Sequence, residues 1–531
     1  MVLAAVALWV ALSPPGVNDV VGGDEGYYGT QARNILADAR HLVSPSLTPG
    51  GAPGDKPPLY PALLALSVRA LGPTEAALRW LSLLCTALVA LGAARLAAIA
   101  AGEWAGFAAA GLFVTLPIVA NFSRVAAAEH PLTALGVAGL AWLAGRPQDT
   151  RRACACGALL GLGFLCKLWL VLLLALPAVA LLVPPGAGLR GRWAPLAALI
   201  LGGVAVALLH LGAVAAFAPG DLVHWGSVYF SFSLASRLQG AGYAEYWIQP
   251  PGFYWTTLAH ALVLTLPPAA LGFQSVIRRL REPVPRALLV WALGPLALSV
   301  FRVKTGAYLY PAVPAWAALA ALGLVAIARG EARPGVPLAV FALASAPPLA
   351  SALGGPAPPF AVWLAAWAAF ALAAVAVARW PAWRARAGVA LGVTIALGGL
   401  VRVVQRLPLH YHDPGYREVA EALGPLLSTA DRARLSYVAP EAPAFAYYLD
   451  RAGQYWATPY VPWSPERFAE IRADTALRAF VVDPSQSFYG GWPDSAALRW
   501  LETGTHEITD DVESRAGRRI AVRVFTRGAS R

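Results

Sequence analysis

The fold class is decided by stretches such as APLAALILGGVAVALLHLGAVAAF, residues 194–217, which contains no Asp, Glu, Lys or Arg. A helix of about 20 apolar residues spans the hydrocarbon core of a bilayer. Similar runs recur along most of the chain, so we predict a mainly α-helical, polytopic membrane protein with about thirteen transmembrane helices. The expected spans are residues 1–13, 76–101, 104–121, 131–145, 153–166, 168–183, 194–217, 253–274, 287–301, 311–328, 335–354, 359–378 and 387–404.

The composition agrees with a chain that is solvated mainly by lipid. Of 531 residues 58% are hydrophobic and only 13% are charged, with a mean hydropathy of +0.57, whereas soluble domains carry about 25% charged residues. The apolar runs end near residue 408, and the remainder has an ordinary soluble composition. We therefore predict a transmembrane domain over residues 1–408 and a small soluble α/β domain over residues 409–531.

The soluble domain is expected to alternate helices with strands. Helix-like stretches are Tyr416–Leu427, Pro465–Ala473 and Ser495–Glu502, and strand-like stretches are Leu435–Ala439, Leu477–Val482 and Arg519–Phe525.

The net charge of +12 does not indicate a nucleic-acid partner. Most of the surplus is arginine in short clusters between apolar segments, and positive cytoplasmic loops are general in membrane proteins. The four cysteines lie in apolar stretches and form neither a disulfide framework nor a Cys-x-x-Cys metal pattern; they are Cys85, Cys154, Cys156 and Cys166.

The arginine clusters also predict the orientation in the membrane. From residue 146 onward they occur at every second connection between spans, and the positive-inside rule places them in the cytoplasm. They are Arg146, Arg151, Arg152, Arg190, Arg192, Arg278, Arg279, Arg281, Arg286, Arg329, Arg333, Arg379, Arg384 and Arg386. The loops 14–75 and 218–252 and the domain 409–531 are then predicted on the outer face. Two amphipathic stretches of the first loop, Glu25–Arg40 and Pro58–Leu71, are expected to lie along the interface.

The first predicted span is short, with about thirteen apolar residues before Pro14 and Pro15 and no basic residue ahead of it. It lacks the charged start and small-residue cleavage site of a signal peptide. We expect either a short helix or, with slight preference, a start codon further upstream.

Lysine is rare in this chain. Of 41 basic residues 38 are arginine, and the three lysines are Lys56, Lys167 and Lys304. All three fall at the outward ends of predicted spans or in the first outward loop. Lysine offers a compact point charge on a flexible stem instead of a planar fork, so we interpret the three as a cluster that holds a phosphate. Chance is the alternative, because snorkelling lysines also favour interfaces.

Acidic residues occur on the same predicted face. Asp24 and Glu25 follow the first span, and Glu129 lies in a tight outward turn. Charges near the hydrocarbon boundary are costly and tend to be functional. Two structural alternatives remain open: Asp24 could cap the helix that follows it, and Glu129 could form a simple ion pair with Arg124.

Five motifs resemble those of the protein O-mannosyltransferase and lipid A aminoarabinose transferase superfamily, the family 39-like bacterial enzymes with the type C membrane glycosyltransferase fold. The motifs are Gly23–Tyr28 with its Asp-Glu pair, Asp55–Tyr60 with Lys-Pro-Pro-Leu-Tyr, Arg124–Leu132 with its acid, Gly161–Lys167, and Lys304–Tyr308 followed by Pro311 and Pro314. They cover the chain from about residue 15 to 330, and all three lysines fall within them.

Two positions depart from the family pattern. Tyr27 stands where aminoarabinose transferases commonly have arginine, which argues against lipid A as the acceptor. Glu129 stands where the family usually has aspartate. The resemblance therefore suits the broader bacterial branch of the superfamily, whose substrates vary.

The resemblance implies an inverting transfer of a hexose or pentose from a polyprenyl-phosphate donor to an acceptor hydroxyl. Asp24 is expected to be the general base, with its pKa raised by a closed, partly dry cavity. Glu25 and Glu129 are the other catalytic candidates, and Glu129 is expected to orient the acceptor or Lys56. The donor phosphate is assigned to Lys56, Lys304, Arg237 and Tyr308. Further site candidates are Tyr60, Arg124, His130 and Lys167.

The expected setting is a bacterial cytoplasmic (inner) membrane, with the active site on the outer face and a lipid, glycan or protein acceptor. The sequence requires no cofactor, although His130 beside Glu129 and His224 in a later loop leave a divalent metal open. Aromatic residues in 225–255 suit either sugar stacking or an interfacial belt. A transporter or flippase for a lipid-linked sugar is the main alternative function, and a scaffolding role is a third.

Overall fold

The structure is a computed structural model that describes residues 24–46, 53–54, 56–183, 193–229, 248–332, 336–353, 358–406, 415–426, 436–437, 469, 472–473, 479–482, 495–520 and 522–527. The first half of the described chain forms helices α1 (Asp24–Ala37), α2 (Leu59–Leu71), α3 (Glu75–Ala101), α4 (Glu103–Val114), α5 (Pro117–Phe122), α6 (Glu129–Ala144), α7 (Thr150–Lys167), α8 (Leu172–Leu182), α9 (Trp193–Phe217) and α10 (Leu222–Ser227). The second half forms α11 (Phe253–Ala261), α12 (Leu266–Arg278), α13 (Pro283–Ala297), α14 (Val313–Arg329), α15 (Val336–Ala344), α16 (Pro347–Ala352), α17 (Phe360–Arg379) and α18 (Arg384–Arg406).

Most predicted spans coincide with these helices, but three of them are broken. Span 104–121 is divided into α4 and α5 before Pro117. Span 253–274 is divided into α11 and α12, which are bent by 114° relative to each other. Span 335–354 is divided before Pro347, because proline cannot continue the hydrogen bonding of a preceding helix. Within the described residues six helices are long and apolar enough to cross a membrane when Thr150–Leu182 is counted as one, or seven if the bent pair is one span. The count of thirteen stays a prediction, and span 1–13 lies outside the described residues.

Close packing at glycine fixes the path of the chain between α7 and α9. A β-carbon added at Gly157 would overlap the Leu199 carbonyl, and one at Gly161 would lie 2.8 Å from the Gly203 carbonyl oxygen. The two helices are therefore parallel, because residue numbers rise together along both of them. The chain between them must then cross back to the end at which α7 begins. The return begins at Lys167, whose backbone (φ −153°, ψ 80°) is not helical. Lys167 therefore lies at a reversal of the chain, as the two predicted spans 153–166 and 168–183 require.

The described C-terminal residues include helices α19 (Tyr416–Leu426), α20 (Ser495–Gly504) and α21 (Thr509–Ala516) and strands β1 (Ser436–Tyr437), β2 (Ala479–Val482), β3 (His506–Glu507) and β4 (Arg523–Thr526). The strands form one sheet in the order β1-β2-β4-β3, in which β1 is parallel to β2 and the other pairs are antiparallel. These elements overlap five of the six predicted stretches. The domain boundary at residue 409 stays a prediction.

Helix α19 contacts the membrane-spanning part of the chain. Arg417 forms an ion pair with Glu75, the first residue of α3. Glu75 is buried. The C-terminal elements are therefore attached at the same end of α3 that carries the candidate active site.

Candidate active site

Asp24, the first residue of α1, is held by two of the three lysines. Its Oδ1 lies 3.2 Å from the Lys56 Nζ, and its Oδ2 lies 3.1 Å from the Lys167 Nζ. Lys56 precedes α2, and Lys167 ends α7. The structure thus brings together residues more than 140 positions apart in the sequence.

Glu129 completes the cluster. Its Oε1 lies 3.2 Å from the Lys167 Nζ, so one ammonium group bridges Asp24 and Glu129. The side chains of Glu129, Lys56 and Lys167 are 2%, 10% and 12% exposed, whereas that of Asp24 is 33% exposed. The four residues carry two positive and two negative charges, and Asp24 is the member most open to an incoming reactant. We call these four residues the acid–lysine cluster.

The expected rise in the pKa of Asp24 is wrong for this structure. Burial alone would raise the pKa of the carboxyl group, but the ammonium groups of Lys167 and Lys56 outweigh burial and hold the pKa of Asp24 well below its ordinary value. A carboxylate paired in this way is ionised at neutral pH but is a weak base.

Glu25 faces a different partner from its neighbour Asp24. Its two carboxylate oxygens accept from the Nε and Nη2 of Arg79, each at 2.9 Å, and Oε1 also accepts from the Ala126 backbone N–H at 2.9 Å. Glu25 is fully buried and Arg79 is 3% exposed. This geometry ties the start of α1 to α3 and to the turn before Glu129, and it engages both carboxylate oxygens of Glu25.

Lys304 lies in a separate contact. Its ammonium group donates to the Gln249 carbonyl at 2.7 Å, beside a bridge between Ile248 and Val303. Burial lowers the pKa of Lys304. Lys304 is predicted on the donor phosphate together with Lys56, whereas in the described contacts it is Lys56 and Lys167 that pair with Asp24.

The segment that follows Lys304 places Tyr310 next to His130, the neighbour of Glu129. The Tyr310 hydroxyl lies 3.0 Å from Thr86 Oγ1, and its ring packs edge-on against His130 at 4.6 Å between ring centroids. His130 adjoins Glu129, and its Nε2 lies 2.8 Å from the Phe122 carbonyl oxygen. In the tautomer that carries its proton on Nε2, His130 donates a hydrogen bond to this oxygen. Tyr308 is only partly buried.

The remaining candidates are dispersed. Tyr60 is buried and packs edge-on against Tyr28 at 4.7 Å, and Arg124 lies in the turn before α6. His224 lies 3.1 Å from the Gly54 carbonyl, and Arg237 is outside the described residues. Across the part of the chain that is described, no three His, Cys, Asp or Glu residues are grouped closely enough to hold a metal ion.

Sequence reasoning missed Tyr28, one helical turn after Asp24. Its side chain is fully buried, and its hydroxyl lies within electrostatic range of Lys167, Asp24, Lys56 and Glu129. Burial raises the pKa of Tyr28, so the hydroxyl keeps its proton and can act as a hydrogen-bond donor. The signal was present in the sequence, since Tyr28 follows Asp24 at the i+4 spacing of one helix face.

The overall structure is similar to that of ArnT from Cupriavidus metallidurans in the apo state. The TM-score is 0.67 and the sequence identity 17%, over 99% of this chain and 96% of ArnT. The chain has the type C glycosyltransferase fold. The structure of ArnT bound to undecaprenyl phosphate gives a TM-score of 0.64 at 17% identity, over 100% of this chain and 97% of ArnT.

A more distant relative of the same type C fold is the oligosaccharyltransferase of Archaeoglobus fulgidus in the apo form. Its TM-score is 0.52 at 14% identity, over 95% of this chain and 72% of that one. Residues 55–212 match the family described as dolichyl-phosphate-mannose-protein mannosyltransferase, a range that contains Lys56, Glu129 and Lys167. No curated protein matches the sequence.

Proposed function

We propose that this chain is a membrane glycosyltransferase that moves a sugar from a polyprenyl-phosphate donor to an acceptor hydroxyl at the outer face of a bacterial cytoplasmic membrane. The acid–lysine cluster carries the proposal. The Asp24 carboxylate is one third exposed and lies between two largely buried ammonium groups. The reaction needs a base for the acceptor hydroxyl and a positive charge for the leaving phosphate, and this cluster contains both. The type C fold and the undecaprenyl phosphate bound by ArnT support a lipid-linked donor.

The reaction would be a single displacement with inversion. The acceptor oxygen forms a bond to the anomeric carbon as the bond from that carbon to the phosphate oxygen breaks. Asp24 takes the acceptor proton, and the polyprenyl phosphate leaves with the electron pair. Lysine ammonium groups stabilise the charge that develops on the leaving phosphate.

Donor binding would activate Asp24. The cluster is neutral overall, and an arriving phosphate competes with Asp24 for the ammonium group of Lys56. Once Lys56 moves to the phosphate, the ion pair that lowers the pKa of Asp24 weakens, and burial raises the pKa toward a value useful for a base. Lys167 would stay between Asp24 and Glu129. Lys304, Arg237 and Tyr308 remain proposed contacts of the phosphate.

Replacing Lys56 by methionine is expected to lower kcat/KM for transfer from polyprenyl-phosphate mannose by about 10- to 100-fold, because one cation at the leaving group is lost. Lys56→Arg should recover only part of the loss, since a planar fork replaces a point charge. Arg69→Met, an exposed cation on the helix that follows Lys56, is the matched control and should retain wild-type kinetics. Equal kinetics in Lys56→Met and wild type would remove Lys56 from the site.

The pH dependence is expected to report the same ion pair. In the free wild-type enzyme the pKa of Asp24 is depressed, so the carboxylate stays ionised as the pH falls through its ordinary range. In Lys56→Met less opposing charge acts on Asp24, and the acid limb of kcat/KM should move to higher pH. Steady-state rates between about pH 4 and 8 measure this shift, and superimposed acid limbs would contradict it.

A flippase for a lipid-linked sugar is the second candidate. The 114° bend between α11 and α12 favours it, because broken helices form the substrate sites of many transporters. Against it, the acid–lysine cluster lies at helix ends, whereas transporters bind near the bilayer midplane. Donor consumption separates the two functions, since a flippase leaves the sugar–phosphate bond intact.

A further inference from the structure

Helix α1 carries buried polar side chains whose polar atoms make no hydrogen bond to the described residues. Gln31 is fully buried, and neither its Oε1 nor its Nε2 has a hydrogen-bond partner among the described residues. The Tyr28 hydroxyl is also fully buried and has no hydrogen-bond partner among the described residues. An unsatisfied buried polar group costs about 1–3 kcal/mol, so such groups in native proteins call for a ligand, a water molecule or a catalytic role.

These two side chains share one face of α1 with Asp24. Residues 24, 28 and 31 are spaced i, i+4 and i+7, which places them in one row along a helix of 3.6 residues per turn. Glu25 is rotated by about 100° from Asp24 and faces Arg79 instead. The row therefore begins at the proposed general base and continues for about two turns away from it.

The spacing of the row fits a sugar. A base that accepts the attacking hydroxyl's proton must lie near the anomeric carbon of the transferred sugar. Along the axis of α1, Tyr28 lies about 6 Å and Gln31 about 10.5 Å from Asp24. A sugar ring is comparable in length to one helical turn of about 5.4 Å, so it would come opposite Tyr28. Side chains of a helix lean toward its N-terminus, so Gln31 would face the hydroxyl groups at the far edge of the ring. A carboxamide offers both a donor and an acceptor, which matches a hydroxyl group.

We propose that Tyr28 and Gln31 form the subsite that recognises the ring hydroxyl groups of the transferred sugar. This inference rests on the proposed function and adds the class of sugar: a neutral hexose or pentose with free hydroxyl groups. Beyond Asp24 the row consists of uncharged hydrogen-bonding groups, which match sugar hydroxyl groups. Tyr28 and Gln31 are thus specificity-determining residues of the transfer.

The test compares the wild type with Gln31→Met and Tyr28→Phe, using membranes supplied with polyprenyl-phosphate mannose, glucose, galactose and arabinose. The donor that the wild type transfers is then tested as its series of monodeoxy analogues. We expect the wild type to reject at least one analogue by about tenfold or more in kcat/KM, because the site's polar group is left unpaired. Gln31→Met should lose that discrimination and transfer the parent donor at least about tenfold less efficiently.

Thermal stability in detergent separates recognition from a structural role. Methionine removes an unsatisfied amide with little change of shape, so Gln31→Met should unfold at the same temperature as wild type or higher. The matched control is Asn34→Leu, since Asn34 donates to the Ser46 carbonyl at 2.8 Å and its loss should lower stability without changing discrimination among donors.

Two failures are distinguishable. If the wild type transfers sugar and Gln31→Met discriminates among the analogues as the wild type does, this inference is overturned and a buried water satisfies the amide. A change in acceptor KM alone, with donor discrimination intact, also overturns it, because the row would then bind the acceptor. If the wild type consumes no donor at all, the proposed function fails first.

Discussion

Replacing Asp24 by asparagine is expected to reduce kcat for sugar transfer by about 10²- to 10⁴-fold, the usual contribution of a general base. The amide cannot take the acceptor proton, and it no longer neutralises Lys56 and Lys167, whose ammonium groups lie within 3.2 Å of it. Donor affinity should be retained or increased, because the two lysines become available to phosphate. Single-turnover transfer and binding of undecaprenyl phosphate, measured on the same preparation, give the two quantities separately.

The control for this variant is Asp38→Asn. Asp38 is an exposed acid just beyond the end of α1 and pairs only with its neighbour Arg40 in the contacts described. Wild-type transfer is expected there. Weakened donor binding in Asp24→Asn with an unchanged kcat would contradict the assignment of Asp24 as base and would make it a positioning residue for the lysines.

Replacing Arg79 by alanine is expected to lower the free energy of unfolding by about 3–5 kcal/mol, because it leaves the fully buried Glu25 carboxylate without its charged partner. The comparison variant is Arg279→Ala, which removes an ion pair with Glu282 between partly exposed side chains and should cost about 0–1 kcal/mol. Thermal or denaturant unfolding of the purified protein in detergent measures both.

The double variant Glu25→Leu with Arg79→Met distinguishes stability from positioning. Replacing a buried ion pair by apolar residues of similar volume is often neutral or stabilising, so the double variant should regain most of the lost stability. Transfer should remain impaired, since the Ala126 N–H loses its acceptor and the turn before Glu129 is no longer tied to α1. An Arg79→Ala variant as stable as wild type would contradict the buried-pair account.

Much of the fold follows from local sequence. Long uncharged runs such as 194–217 specify helices whatever the tertiary context, because lipid leaves backbone groups no other partner. The sequence did not predict the breaks in spans 104–121, 253–274 and 335–354, since a mean over an apolar window is insensitive to a bend. The close packing at Gly157 and Gly161 depends on which helices become neighbours, and that is a tertiary property.

The sequence predicted site residues whose type is rare in this chain. It did not predict properties that depend on the surroundings of a side chain in the folded structure. The rarity of lysine identified Lys56 and Lys167, which the structure joins at Asp24. Arg79 carried a comparable signal, a charge inside a predicted span, that was not used. The direction of the Asp24 pKa shift could not be read from sequence, because it depends on two lysines about 30 and 140 residues away outweighing burial.

Transfer of label in membrane vesicles tests the central claim most directly. Vesicles containing the wild type, Asp24→Asn or Lys56→Met at matched protein levels are supplied with radiolabelled polyprenyl-phosphate sugars, and acceptor-bound and lipid-bound label are separated. The proposed function predicts that label moves to an acceptor in the wild type and that transfer falls sharply in both variants. Full transfer in both variants, or labelled lipid that changes leaflet with its sugar–phosphate bond intact, would contradict it.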